Sequence, residues 1–388
     1  MGKKQFVFWL IFIGVFLLLT DTLLYFGLSV ISKKKNIFYA QTQVDSGKIS
    51  NWLDHNFDPK LGWKIHQANA NNLGTRRNSD YETKPVYDIK TFGDSFTMGA
   101  EVSAENTYQA FVEEMTGWDC LNYGVGAYGT DQAYLSYKNT TVKSKYTVLG
   151  ILSENIGRVV SVYPAWYMRE WFPPKPRFIE NGDSFKLLAS SINEKEKATL
   201  LLDENFVASL KDTDYWPDYY ENQLGAPAKL QWPALYTLFG HMPFFLSRAK
   251  IVLANKLNPS LQSEVEKYKY THLYKPGSEA LQILKFITDE FVRTAKARGE
   301  IPIVLLFSDQ FSIDIYKKYG FKTYGTLVAH LEQKNIRFVD LGEVFAKDDY
   351  GHYFLYYNSH YSPAGNKKVA RTLVDFIRHL EKKEQTKS

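Results

Sequence analysis

Five short hydrophobic runs, at residues 86–92, 118–123, 145–152, 301–307 and 336–341, each close on glycine or polar residues and are separated by amphipathic stretches. Strands alternating with helices predict an α/β fold, because a parallel strand needs a crossover element before the next can pair with it. The expected architecture is a flavodoxin-like three-layer fold around a five-stranded parallel sheet. Ser278 caps a predicted helix whose Leu281, Leu284, Ile287 and Phe291 form one apolar stripe before Gly299 stops it. Ser362 and Pro363 open a final helix with Val369, Leu373, Phe376, Ile377 and Leu380 on one face.

Ahead of this pattern, residues 6–20 are unbroken apolar sequence, and Leu23, Leu24, Tyr25, Phe26, Leu28, Val30 and Ile31 extend the run. As a helix it measures about 39 Å, enough to cross a bilayer. Lys3 and Lys4 precede it and Lys33, Lys34 and Lys35 follow. The first small residue suited to a cleavage site, Ala40, has Phe38 two places before it, so the run predicts an uncleaved single-pass anchor in the cell membrane. A very short charged tail before the span places the body outside the cytoplasm. Asp21 interrupts the span, which requires either a place near an interface or a membrane partner.

The 388 residues carry 47 basic and 42 acidic side chains, a net charge of +5, but residues 1–35 hold five lysines and one aspartate. The remainder, 42 against 41, is close to neutral, with no surplus for holding a polyanion, so no nucleic-acid partner is expected. A single cysteine excludes a disulfide framework. The absence of a His-Glu-x-x-His helix, of a cysteine pair and of a Gly-Lys-Ser/Thr phosphate loop gives no support to a metal site or to nucleotide hydrolysis. The expected organisation is an anchor at 1–35, a tether and lead-in at 36–85, the core in two parts at 86–160 and 273–382, and an aromatic-rich insertion at 161–272.

In open α/β sheets, ligands bind beyond the carboxyl ends of the strands. The first run leads into Gly93-Asp94-Ser95-Phe96-Thr97, where a serine at a strand-to-helix turn is either a helix cap or a nucleophile in need of a base. The second leads into Asn122-Tyr123-Gly124-Val125-Gly126-Ala127-Tyr128-Gly129 and the third into Ser153-Glu154-Asn155, which offer backbone and side-chain amides to an oxyanion. His360 stands at a predicted junction on the same side, just before the last helix. A serine, amide donors and a histidine at one sheet edge meet the needs of acyl transfer.

With these blocks, residues 86–380 outside the insertion resemble the SGNH or GDSL-type serine esterases, in particular their membrane-anchored bacterial members. The resemblance implies Ser95 as nucleophile, His360 as base, and the Ser95 N–H, the Ala127 N–H and Asn155 as oxyanion donors. It implies no cofactor. Ala127 stands where the family has a glycine, and Asn358 and Tyr357 stand where it has the aspartate of the triad. Asn358 is the expected partner of the imidazole, with Asp348 or Asp349 as substitutes; if it holds that place, Asn358→Asp raises turnover. Two strings, Asp58-Pro59-Lys60-Leu61-Gly62-Trp63 and Asn72-Leu73-Gly74-Thr75-Arg76, also resemble the family's lead-in; read without it, they are a strand or loop over the sheet edge.

The implied substrate is an acylated cell-envelope carbohydrate, with hydrolysis of an O-acetyl group or its transfer to a sugar hydroxyl as the reaction. Trp166, Trp171 and Trp216 in the insertion are expected either to stack on sugar rings or to form that segment's own core. The missing acid leaves open a non-catalytic glycan-binding or assembly protein. Gly124, Gly126 and Gly129 also fit a dinucleotide fingerprint, which would make the chain an oxidoreductase.

Overall fold

A computed structural model of the chain describes residues 2–35, 38–40, 44–77, 80–168, 170–257, 260–265 and 270–386. Residues 36–37 and 41–43 of the expected tether lie outside the described residues. The chain divides into two compact units: Ser46–Val162 with Pro173–Leu200 and Tyr268–Ser388, and Met1–Asp45 with Tyr163–Phe172 and Leu201–Lys267.

The main sheet of the larger unit has five strands, β1 (Tyr87–Gly93), β2 (Cys120–Gly124), β3 (Ser144–Leu152), β4 (Ile301–Phe307) and β5 (Phe338–Asp340). All four pairings are parallel and the order is β2-β1-β3-β4-β5. This is the flavodoxin-like order, in which the chain reverses direction across the sheet between β1 and β3. Parallel strands covered on both faces read as continuous apolar sequence, as Ile301–Phe307 does. On one face Ile89, Val148, Ile303 and Leu305 pack with Tyr108 and Val112 of helix Tyr108–Thr116 and with Val369, Leu373 and Ile377 of helix Pro363–Gln385. The helices Thr130–Asn139 and Glu279–Ala297 also pack on the sheet, the second burying Leu284, Ile287 and Phe291.

The strand limits shift for local reasons. β5 stops at Asp340 because its carboxylate accepts from the Gly342 and Glu343 amides and opens a helix at Leu341. β2 starts at Cys120, two residues later than expected, after the Asp119 amide donates to the Asp88 carboxylate. Ser278 Oγ accepts from Leu281 N and Ser362 Oγ from Gly365 N, so both predicted helix starts are capped.

The segment expected as one insertion is divided. Its Pro173–Leu200 part belongs to the sheet unit. There a hairpin pairs Arg177–Asn181 with Ser184–Leu188, and the Lys175 ammonium meets the Asp131 carboxylate with both side chains fully buried.

In the smaller unit, helix Lys3–Lys35 contains a segment, Lys3–Ser32, long and apolar enough to cross a membrane, and nearly all of its apolar side chains are exposed. Trp166 and Trp216 are buried in this unit, the second of the two uses expected of them and not the sugar-stacking one. Trp216 is fully enclosed, its ring stacked 4.5 Å from Tyr167 and tilted 5.5 Å from Tyr220. Trp166 meets Tyr163 edge-on at 5.2 Å. These rings form a core, because a stack of large aromatics removes more apolar surface from water than any ring left outside to wait for a ligand. Trp171 is half-buried.

Candidate active site

Ser95 is the first residue of the short helix Ser95–Met98 that follows β1, where the strand order reverses. The turn is tight. A Cβ on Gly93 would lie 2.0 Å from Thr97 Oγ1, one on Gly150 2.2 Å from the same atom, and one on Gly124 2.2 Å from the Met98 amide nitrogen. Three strands thus carry glycine where the serine turn crosses them. Gly124, read above as part of a dinucleotide fingerprint, is used for this close approach. Asp94 caps the turn by accepting from Phe96 N at 2.9 Å. As a first-turn residue, Ser95 has an N–H with no acceptor inside its helix.

Burial pushes the Asp94 carboxyl above its ordinary value, against the pull of the nearby Arg158 charge. Asn155, at the end of β3, donates its side-chain amide to Asp94 Oδ2. One of the two Nδ2 hydrogens is therefore committed to Asp94, and the second is what an oxyanion could receive. Ala127 has φ +65°, the left-handed conformation that favours glycine. Its N–H finds no acceptor among the described residues.

His360 lies beside the serine turn, its ring 5.1 Å from that of Phe96, the residue after Ser95. Its Nδ1 is 2.6 Å from Glu101 Oε2. Hydrogen bonding to His360 holds the Glu101 carboxyl below its usual range, so it is ionised at neutral pH. An ionised carboxylate can only accept, hence Nδ1 carries a proton, and a neutral imidazole in that tautomer has its lone pair at Nε2. Tyr356 Oη donates to the other carboxylate oxygen at 2.9 Å. Neither Ser95 Oγ nor His360 Nε2 is hydrogen-bonded to a described residue.

Asn358 does not occupy the expected position. It sits at φ +57° in a tight turn, where Leu355 N donates to the His360 carbonyl at 3.0 Å and Asn358 N to Gln310 Oε1 at 3.0 Å. Asparagine tolerates that conformation, so its role here is to turn the chain. The other expected carboxylate, Asp348, is 2.7 Å from Lys368 and accepts from Tyr353 Oη at 2.9 Å. Asp349 precedes the turn of helix at Tyr350–Tyr353.

Sequence reasoning missed Glu101 because its acid comes from the loop after the serine, six residues on, and nothing in that spacing distinguishes it from a solvated glutamate. The lead-in strings explain how it is held. Arg76 donates to the carbonyls of Met98 (2.6 Å), Gly99 and Val102 (2.5 Å), clamping the loop that carries Glu101. From the other string, Trp63 Nε1 donates to the Gly126 carbonyl at 3.0 Å, and the Trp63 carbonyl accepts from Tyr128 Oη at 2.6 Å. That pair fixes the residues on either side of Ala127.

No protein-family model and no curated protein matches the chain. Among solved structures, one of a protein placed in the lipolytic G-D-S-L family, from Desulfitobacterium hafniense DCB-2, aligns at 10% identity with a TM-score of 0.35, covering 75% of this chain and 99% of that one. A second, a member of the lipolytic protein G-D-S-L family from Veillonella parvula DSM 2008, aligns at 10% identity with a TM-score of 0.34, covering 74% and 96%.

Proposed function

We infer that the protein is a membrane-anchored serine hydrolase that removes acyl groups, O-acetyl foremost, from cell-envelope glycans. The observation that carries the reading is the carboxylate–imidazole pair of Glu101 and His360 packed against the residue next to Ser95. In this reading His360 Nε2 takes the Ser95 proton as Oγ attacks the ester carbonyl, and Glu101 stabilises the imidazolium. The Ser95 and Ala127 amides and the free Nδ2 hydrogen of Asn155 receive the oxyanion. The imidazolium then protonates the departing sugar oxygen, and water repeats the sequence to release acetate and restore the serine. Contacts such as Ser95 to His360 commonly close only with substrate in place. A carboxylate on Nδ1 also removes the reason for preferring a non-catalytic protein, which was the missing acid.

The Lys3–Ser32 helix supports the anchor, and an extracytoplasmic location of the sheet unit is part of this reading. The glycan substrate rests on the family resemblance and that location. The test is labelling by an active-site-directed fluorophosphonate, expected for the full chain and abolished in Ser95→Ala. Labelling that persists in Ser95→Ala, or none in the parent, rejects the hydrolase. With a chromogenic acetyl ester and an oligosaccharide supplied together, free acetate identifies water as acceptor and acetylated sugar identifies transfer.

A further inference from the structure

The smaller unit carries an apolar surface beyond its long helix. Trp232, Tyr236 and Phe239, in and just before helix Ala234–Gly240, and Leu246, Leu253 and Leu257, on helix Met242–Leu257, each expose more than half of their surface. The three leucines are seven and four residues apart, so they form one stripe on their helix. Large apolar side chains exposed together on two consecutive helices point to a contact with another apolar phase.

The long helix indicates which phase. Asp21 is buried although it lies in the apolar segment, and its Oδ1 accepts from Leu235 N at 2.7 Å. Among the described side chains of this helix, Asp21, Leu28 and Ser32 are buried, seven and four apart, so one stripe faces its own chain while Leu23 and Phe26 stay exposed. Just beyond the helix, Tyr39 stacks on Tyr220 at 5.2 Å and Ala40 N donates to the Ala228 carbonyl at 3.1 Å. Of the two situations the sequence left open for Asp21, a partner and a place near an interface, the chain itself supplies a hydrogen-bond partner.

Depth follows from length. Eighteen residues separate Lys3 from Asp21, or about 27 Å of helix, against a hydrocarbon core of about 30 Å. Asp21 then lies close to the far edge of the core, and residues 24–31 fall in the interfacial zone beyond it. Leu235 is fixed to Asp21, which sets the two shorter helices at that level. Their chemistry suits it. Trp and Tyr concentrate at the headgroup level, and between Glu221 and Glu264 there is no acidic residue, while Lys229, Arg248, Lys250 and Lys256 are basic.

We propose that the helices Ala234–Gly240 and Met242–Leu257 lie in the headgroup–acyl boundary of an anionic phospholipid bilayer, a second membrane contact beside the span. This rests on the reading of Lys3–Ser32 as a membrane anchor. It gives the protein a footprint on the lipid surface in place of a single tethering point.

The test uses the full chain with one introduced cysteine, Leu253→Cys, Phe16→Cys or Lys186→Cys, spin-labelled and reconstituted in phosphatidylcholine vesicles containing phosphatidylglycerol. Cys120 is buried and burial raises its thiol pKa, so it resists labelling under native conditions, and the parent protein measures any background. Accessibility to oxygen relative to a water-soluble nickel chelate is expected to be several-fold higher at 253 than at exposed Lys186, and high at 16. A lipid-like ratio at 16 with a Lys186-like ratio at 253 overturns the surface contact but keeps the anchor. Protection of 253 from both reagents means that a protein, partner or second copy, covers the stripe, and also overturns it. A water-like ratio at 16 removes the anchor itself, and the proposal with it.

Discussion

Replacing Glu101 by glutamine leaves an oxygen to accept from His360 Nδ1–H and so isolates the charge. In the chymotrypsin-type triad the corresponding change lowers turnover by about 10⁴, for a buried acid whose loss also reverses the imidazole tautomer. Glu101 is different: its side chain is 40% exposed, and His360's is 28% exposed. Water screens part of the interaction, so the expected loss lies nearer the ~1.5–3 kcal/mol of a hydrogen bond to a charged group. At about 1.4 kcal/mol per factor of ten, kcat/KM for a chromogenic acetyl ester falls roughly 10- to 100-fold in E101Q. The rate of fluorophosphonate labelling falls by a similar factor, and that readout does not depend on knowing the natural substrate. Asn358→Asp brings no gain, because Nδ1 already has its carboxylate. E101Q activity within twofold of the parent, or a rise in turnover in Asn358→Asp, would refute the assignment of the acid to Glu101.

Arg76→Met releases the three carbonyls that hold the Glu101 loop and is expected to lower kcat roughly tenfold while KM changes little, a split read from steady-state kinetics. Ala127→Gly relieves a left-handed alanine worth ~1–2 kcal/mol against ~0.5–1 kcal/mol of backbone entropy, so denaturant melts should show it more stable by about 0.5–1 kcal/mol with esterase activity retained. Trp216→Ala empties the centre of the aromatic core and should destabilise its unit by ~3–5 kcal/mol, whereas Trp216→Phe keeps substrate KM; a KM rise in the phenylalanine variant would restore a sugar-binding role. The folded Glu101 carboxyl lies below its ordinary value, so its pairing contributes stability above that value and loses it as pH falls through the lower one. Stability against pH below about 5 should therefore be slightly flatter in E101Q, by under ~1 kcal/mol for so exposed a pair.

The sheet was legible because a parallel strand covered on both faces has no freedom to be polar, and helix ends beside it are marked by caps such as Ser278 and Ser362. The serine turn was legible because Gly93-Asp94-Ser95-Phe96-Thr97 follows such a strand, and the structure adds that Gly93, Gly124 and Gly150 make room for it. The acid was not, because a hydrogen bond between residues 259 apart leaves no periodicity in the chain. Trp166 and Trp216 show a further limit. An aromatic-rich segment supplies core and binding surface with the same residues, and only burial separates the two uses.

Backbone strain offers a signal that composition lacks. Among the described residues, four that are not glycine adopt positive φ, and three of them, Glu101, Ala127 and Asn358, stand in the loops around His360 and Ser95. Each such residue costs about 1–3 kcal/mol unless its surroundings over-determine it. Two of the three surroundings are now identified: Arg76 fixes the backbone around Glu101, and Trp63 with Tyr128 fixes that around Ala127. These two strings, which had no chemistry attached to them in the sequence, are thus the parts that hold Glu101 and Ala127 in conformations these residues would not adopt alone. A glycine at 127 would reach its conformation without that support. The dependence of this site on these two strings is therefore a consequence of carrying alanine and not glycine at 127.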